Sequence, residues 1–586
     1  SRITKRLQSR YERKPLAKRL VGLAGNHQES DGFIVTWDGL DVKPAMMSSV
    51  VTDSDQLIRL FYLSAQYGQL PKPEFIDQIR RSISSLRFEL TETGASRFRD
   101  ILRCGPILGS ILRSMDEAGL LELIIPDFAN VHCLLQFNQY HAYTVDEHTF
   151  RAVEELTKLK NDEGTLGQVY RSIKHPEVVH LAMILHDLGK GFDQDHSEVG
   201  TRIAERIAPR LGFGESQRDQ MMLLVKIHLL MANTAFWRDT TDPKVLIDFS
   251  REVGSLENLK MLFVLTKADV TAVGPEVWTD WKSELLIGLY ERTAESFTSE
   301  GGPLQEKEIR EQKRDEILDS LLRDTSIDPE REEEWLSREF ETLPLHYLVE
   351  TSARQIALDL ENVTRLKPET THVEGSWEEE TGLVEYRMYV SPELSSGCFH
   401  RIAGALTGLR MNIMTAHLCT TSRGWVIDSF LVEDNNFQGV VPYDRILDVS
   451  RTLEKVILGE QSVLPMLSGG GRFQKMQETT PYAQQPTRLV IDNESSDRCT
   501  VIDVFAIDRP GLLYALTRII FQCGYSVDLA KIGTHLEQIV DVFYITTAGG
   551  DKLEDTDSLN HLRSELQQVI DSLEESQGAS EIFPEE

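Results

Sequence analysis

Apolar residues recur at helical spacing through roughly the first half of the chain and switch to alternation in its last third. Between residues 53 and 130 the series Leu57, Leu60, Phe61 and then Ile101, Ile107, Leu108, Ile111, Leu112 predicts helices with one buried face. A second helical block is predicted over residues 140–297, with breaks near Gly189, Gly212 and Gly274. Residues 305–341 mix both signs of charge around a thin stripe of Ile309, Ile317, Leu318, Leu321 and Leu322, the pattern of a solvated helical connector. After Gly375 the period changes: Val384-Glu385-Tyr386-Arg387-Met388-Tyr389-Val390 alternates, and residues 425–432 are β-rich.

The last two hundred residues contain an internal repeat. The first copy reads as a strand near Glu385, a turn with Gly397, a helix over 399–409, strands over 413–418 and 426–432, and a helix over 443–457. The second reads as a strand over 500–506, the turn Asp508-Arg509-Pro510-Gly511, a helix over 512–523, strands over 526–532 and 539–546, and a helix over 558–573. Each is βαββα, most of the ferredoxin-like βαββαβ order with no evident final strand. Ser468-Gly469-Gly470-Gly471 and the polar stretch 477–485 predict a flexible linker, and the acidic end a loose tail. The expected fold class is multidomain α+β: an all-α N-terminal half, then two ferredoxin-like domains. The expected boundaries are 1–135 and 136–300 for two helical domains, 301–377 for the connector, 378–462 and 498–574 for the repeats, 463–497 for the linker and 575–586 for the tail.

Composition narrows the partners. A length of 586 residues allows about three to five domains. The formal charge of −31 and a pI near 5.0, with no clustered basic face, argue against binding nucleic acid. Six scattered cysteines without a C-x-x-C suit reduced thiols, so a cytoplasmic location is expected. No apolar run approaches the roughly 20 residues that cross a bilayer, and no membrane partner is expected.

The chemistry concentrates where Leu181-Ala182-Met183-Ile184-Leu185 ends in His186-Asp187 and then Leu188-Gly189-Lys190. An imidazole beside a carboxylate at the end of a buried helix is costly unless something pairs them, and a divalent cation pairs both. Companion ligands are then expected on other helices: His148, His196, His228 and Asp269. Asp269 is the sharpest, because a lone carboxylate after the run Leu262-Phe263-Val264-Leu265 needs a cation or several hydrogen bonds, whereas a lone histidine is easily buried neutral. His141, His175, His180, His400, His417 and His535 are read as ordinary core or surface residues. Mixed imidazole and carboxylate ligands suit Mg2+, Mn2+ or iron rather than structural zinc, and such a site suits phosphate-ester hydrolysis. Lys190 would neutralise a substrate phosphate, or is simply a lysine at a helix C-terminus.

The order His148, His186-Asp187, His196, His228, Asp269 resembles the HD superfamily of metal-dependent phosphohydrolases. The surrounding text, His141-Ala142-Tyr143-Thr144-Val145-Asp146-Glu147-His148, Asp195-His196-Ser197, His228-Leu229-Leu230-Met231 and Ala268-Asp269, is similar to the bifunctional uridylyltransferase/uridylyl-removing enzymes that modify the nitrogen-regulatory PII protein. The resemblance extends to Arg59-Leu60-Phe61-Tyr62 and to the two C-terminal repeats, which resemble ACT domains. It implies a metal site at the motif positions that removes UMP from a PII tyrosine; read from the residues, the candidate catalytic groups are His186, Asp187 and Lys190. It also implies glutamine sensing by the ACT pair through Asp508, Arg509, Pro510, Gly511 and Leu512. The first repeat has Ser395-Ser396-Gly397-Cys398 instead, keeping the glycine but lacking Asp-Arg-Pro. The nucleotidyltransferase signature of that family, a glycine turn followed by a strand bearing Asp-x-Asp, is not found. Asp53-Ser54-Asp55 and Asp193-Gln194-Asp195 read as cap and loop acids; either the chain is a fragment beginning after that domain, which the opening Ser1 favours, or it is a natural form that lost it. Two alternatives stay open: an HD phosphohydrolase of a free nucleotide, and a non-catalytic amino-acid sensor built on the ACT pair.

Overall fold

The computed structural model describes residues 27–28, 32–36, 39–135, 143–274, 277–298, 306–322, 338–379, 382–437, 439–468, 487–507, 511–532, 534–535 and 538–575. The chain divides into two compact units, one of residues 1–136, 140–231 and 255–278, the other of 137–139, 232–254 and 279–586.

The first unit is helical but not all-α, which corrects the expectation for the N-terminal half. The first of its described elements form a small antiparallel sheet, β1 (His27–Gln28), β2 (Phe33–Thr36) and β3 (Gly39–Val42). The β-branched and aromatic stretch Phe33-Ile34-Val35-Thr36 alternates too briefly to announce itself, yet Phe33, Leu40 and Val42 are buried. Beyond it, Asp53 caps the helix Ser54–Tyr67 by accepting from the Asp55 and Gln56 N–H groups. The site-bearing helices are α1 (Val145–Lys158), α2 (Pro176–Leu185), α3 (His196–Arg210), α4 (Glu215–Lys226), α5 (Leu230–Trp237), which runs on into the second unit, and α6 (Leu256–Val273). Proline at the start of α2 costs no hydrogen bond, and every residue from Glu177 to Leu185 is buried, so its apolar run is a core helix rather than an amphipathic one. Among the described residues no helix is long and apolar enough to cross a membrane.

The second unit holds both repeats. The first has β4 (Thr371–Glu378), β5 (Leu383–Val390), a helix α7 (Cys398–Gly408), β6 (Met411–His417), β7 (Val426–Asp434) and α8 (Tyr443–Ile457), in sheet order β4-β5-β7-β6. The second has β8 (Arg488–Asp492), β9 (Thr500–Ile507), α9 (Leu512–Gln522), β10 (Tyr525–Lys531), β11 (Gln538–Thr547) and α10 (Thr556–Glu575), in order β10-β11-β9-β8. All these neighbouring strands pair antiparallel. Each repeat is therefore ββαββα rather than βαββαβ. The fourth strand precedes the motif and takes the sheet position that the final strand of the ferredoxin-like order would fill. In the first repeat that strand begins at Thr371, inside the stretch read as connector. The helices α7 and α9 both start on a glycine in the left-handed region, Gly397 at φ 64° and Gly511 at φ 89°, so the turn glycine is shared by both copies. The inner faces of the two sheets and their helices form one continuous core.

The outer face of the first sheet is covered as well. Ile317 of the charged connector is buried with Phe340, Tyr347, Ile356, Leu360 and Tyr389, and Leu318 packs against them, so these two residues of the predicted solvated stripe are docked. Asp359 anchors this layer. Buried completely, it accepts from Tyr347, from Tyr389 at 2.8 Å and from Arg387 at 2.9 Å.

A further repeat signal lies in the last strands, Val426-Ile427-Asp428-Ser429-Phe430 against Val540-Asp541-Val542-Phe543: Asp428 faces Met388 on β5, and Asp541 faces Val504 on β9. Both carboxylates are buried. Burial pushes the Asp428 carboxyl up to about 7, against one hydrogen bond from the Cys419 N–H. A carboxyl raised in the folded state binds a proton that the unfolded chain has released, so its stabilising share is full below about pH 4 and is lost as pH rises through about 7. Asp428→Asn removes that loss. The variant should exceed the wild type at pH 8 by up to about 4 kcal/mol, shrinking towards pH 5. Urea midpoints of the transition that includes this repeat, taken at both pH values, measure it, and an unchanged pH profile in the variant would refute the account.

Candidate metal centre

Six side chains from five elements meet in the first unit. His148 lies in the first turn of α1, and its Nε2 is 2.9 Å from Asp269 Oδ1. His186 caps the C-terminal end of α2, with Asp187 beside it in the turn. His196 opens α3, placed there by Asp195, which accepts from the Ser197 and Glu198 N–H groups at 3.0 Å each. His228 sits in the turn between α4 and α5. Asp269 lies inside α6 rather than at its end, since the helix continues to Val273.

Asp187 is the shared member. The ligand atoms of His148, His186 and Asp187 lie within 4.8 Å of one another, and so do those of Asp187, His196 and His228. Ring centroids are 5.6 Å apart for His148 and His186, 5.2 Å for His186 and His228, and 5.3 Å for His196 and His228. Asp187, His148, His186 and His228 are all buried. His186 Nε2, Asp187 Oδ1 and His196 Nε2 are buried without a hydrogen-bond partner. Such atoms cost about 1–3 kcal/mol each unless something binds them. The rings are also held from behind. His186 Nδ1 donates to Met183 O at 2.7 Å and His228 Nδ1 to Val225 O at 2.8 Å, which leaves each Nε2 as the free ligand atom. Orphaned nitrogens, fixed tautomers and two carboxylates are the donor set of a divalent cation, so these residues fit one.

Burial depresses the His186 imidazolium, yet Asp187 and Asp269 at 3.3 and 3.4 Å hold it up at about 10. Burial likewise works against both carboxylates, but His186 and Lys190 keep Asp187 well below its usual range, and His186 and His148 do the same for Asp269. His228 is pushed down to about 4 by burial and the neighbouring His186, and burial lowers His196 too. Two carboxylates in one buried site demand positive charge, and an isolated buried ion costs several kcal/mol.

Lys190 follows in the short 3-10 turn Leu188–Gly191, with Nζ 2.7 Å from Asp187 Oδ2. It neutralises Asp187. Of the sequence-derived amino-acid site in the second repeat, Asp508, Arg509 and Pro510 lie outside the described residues, as does His141. Gly511 and Leu512 begin α9. His180, read as a core residue, is buried between Tyr170 Oη at 2.9 Å and Leu102 O. One donor group went unnoticed in the sequence, His132, Cys133 and Asp146 near the surface. Its Asp146 already accepts from the Cys133 and Glu147 N–H groups at 3.0 Å, which accounts for its burial without a cation.

Comparison with known proteins bears on this geometry. Residues 145–272 match the HD domain, a metal-dependent hydrolase module. The chain is 34% identical over 558 residues to the bifunctional uridylyltransferase/uridylyl-removing enzyme of Azospirillum brasilense, covering 94% of this chain and 58% of that protein. It is 32% identical to the enzyme of the same name from Rhodospirillum rubrum, over 88% of this chain and 55% of the other, and 32% identical to that of Erythrobacter litoralis, over 88% and 56%. It thus spans a little over half the length of the curated relatives it matches. With an HD domain around the six converging side chains, the chain is similar along nine-tenths of its length to the bifunctional uridylyltransferase/uridylyl-removing enzymes of these bacteria.

Proposed function

We propose that this chain hydrolyses the phosphodiester joining UMP to a tyrosine of the PII signal-transduction protein, and that glutamine regulates it through the two ββαββα repeats, read as ACT domains. The observation that carries the reading is the convergence of His148, His186, Asp187, His196, His228 and Asp269 on one buried point inside an HD domain. The names of the relatives support the uridylyl group as the one removed. Mg2+ or Mn2+ held by these six residues would supply an acidified water and charge stabilisation at the phosphorus. The chain's own part is orientation and charge balance. The backbone carbonyls of Met183 and Val225 keep the His186 and His228 rings aimed inward, while Lys190 offsets Asp187 and stands ready to meet a phosphate oxygen. The left-handed glycine at the start of α9 lets the backbone come close to an amino-acid ligand.

The test is UMP release from uridylylated PII. With Mn2+ the wild type should release UMP and a chelator should stop it, while the His186→Ala/Asp187→Ala protein should fall to background and bind no Mn2+. Release unchanged in the double variant would end the assignment. Free nucleotides assayed alongside distinguish a protein substrate from a nucleotide one.

A further inference from the structure

We infer that His132, Cys133 and Asp146 form a second cation site, at the surface of the helical unit, that takes Zn2+ and works independently of the buried centre. The six side chains of the buried centre include no sulfur, so the two sites select different metals.

The donors come from two stretches of the first unit. His132 and Cys133 lie in the turn after the short 3-10 helix Pro126–Asn130, and Asp146 lies in the first turn of α1. One ligand atom from each falls within 4.8 Å of the other two. His132 Nδ1 stands 3.6 Å from Asp146 Oδ2. In a tetrahedral zinc site the ligand atoms lie about 2.0–2.3 Å from the ion, which sets neighbouring ligand atoms roughly 3.3–3.8 Å apart. The imidazole and the carboxylate are thus already at ligand spacing, and a small inward movement of the thiol completes the set. Asp116, with Oδ1 3.3 Å from the same ring nitrogen, adds a second carboxylate beside the site.

The hydrogen bonds that account for the burial of Asp146 also prepare it. The Cys133 N–H donates to Asp146 Oδ2 and the Glu147 N–H to Oδ1, at 3.0 Å each, and a carboxylate oxygen with one such bond keeps a lone pair for an ion. Cys133 sits in the left-handed region at φ 56°, which few residues other than glycine adopt, and the bond to Asp146 pins it to the start of α1. Of the six cysteines it is the one that is exposed, so an ion in solution can reach it. Binding replaces the thiol proton, which passes to solvent, and the thiolate and the Asp146 carboxylate balance the two charges of the ion. Thiolate, imidazole and carboxylate with a water in the fourth place is a zinc donor set rather than one for Mg2+ or Mn2+. The rival account is a His132 ring held between Asp116 and Asp146 by charge, and it gives the Cys133 sulfur no part.

Cobalt separates the two accounts, because Co2+ accepts the ligands of Zn2+ and reports a thiolate ligand by a charge-transfer band in the near ultraviolet. The full chain, stripped with a chelator and titrated with Co2+, should develop that band, and excess Zn2+ should erase it. The His186→Ala/Asp187→Ala protein should keep the band, as should Cys104→Ser. Cys133→Ser and His132→Ala, both exposed positions where the fold is not at stake, should lose it. Asp146→Asn keeps an acceptor for the backbone yet should raise the Co2+ needed by more than the roughly tenfold that loss of a mere supporting group costs. No thiolate band in the wild type, or a band that survives in Cys133→Ser, overturns the site. Loss of the band in His186→Ala/Asp187→Ala would overturn its independence of the buried centre.

Discussion

Asp269→Asn should cost more divalent-metal affinity than the roughly 10- to 100-fold that loss of an outer supporting group costs, and hydrolysis should fall with it. Asp269 projects from α6 to within 2.9 Å of His148 and 3.4 Å of His186, so one carboxylate ties two imidazoles from two other helices. Asparagine keeps the shape and one acceptor but removes the charge that a cation needs from a ligand set with only two carboxylates, Asp187 and Asp269. The variant should keep its far-UV circular dichroism, because α6 is an 18-residue helix whose buried residues Leu259, Leu262, Phe263 and Leu265 hold it independently. Mn2+ affinity within threefold of wild type would take Asp269 out of the ligand set.

Gly189→Ala should be nearly as damaging, although glycine carries no chemistry. A Cβ there would sit 2.0 Å from His196 O and 2.7 Å from His196 C and Cα, all backbone atoms that no rotamer change can move aside. The turn Leu188–Gly191 and the start of α3 must then separate, carrying His196 away from Asp187 and His228. A misplacement of about 1 Å at such a site costs on the order of a hundredfold in rate. Gly214→Ala is the matched control. Its Cβ would meet nothing within 4 Å and its backbone is ordinary, so activity and stability should match the wild type. Equal turnover in the two alanine variants would show that the spacing of His186 and His196 tolerates slack.

What was legible in the sequence follows from what is local. Helical periodicity is set within one or two turns, and the helix over residues 443–457 and the starts of α1 and α9 follow from it. The motif residues stood out for a related reason: a polar side chain within an apolar run is a local contradiction that only burial with a partner resolves. The small N-terminal sheet was missed because strands of two to four residues give too few alternations to outweigh the helical signal around them.

Sequence alone, then, determined the helical and sheet-bearing halves, the repeat, and which six side chains needed company. Tertiary structure decided how they keep it. That Asp187 serves two donor groups, that Lys190 rests on Asp187, and that Gly189 must be bare are matters of approach between backbones, which no spacing along the chain records. The same holds for the leading fourth strand of each repeat and for the fork between Arg238 and Asp503, 265 residues apart in sequence. Periodicity tells which face of an element is buried; only the packed chain tells what buries it.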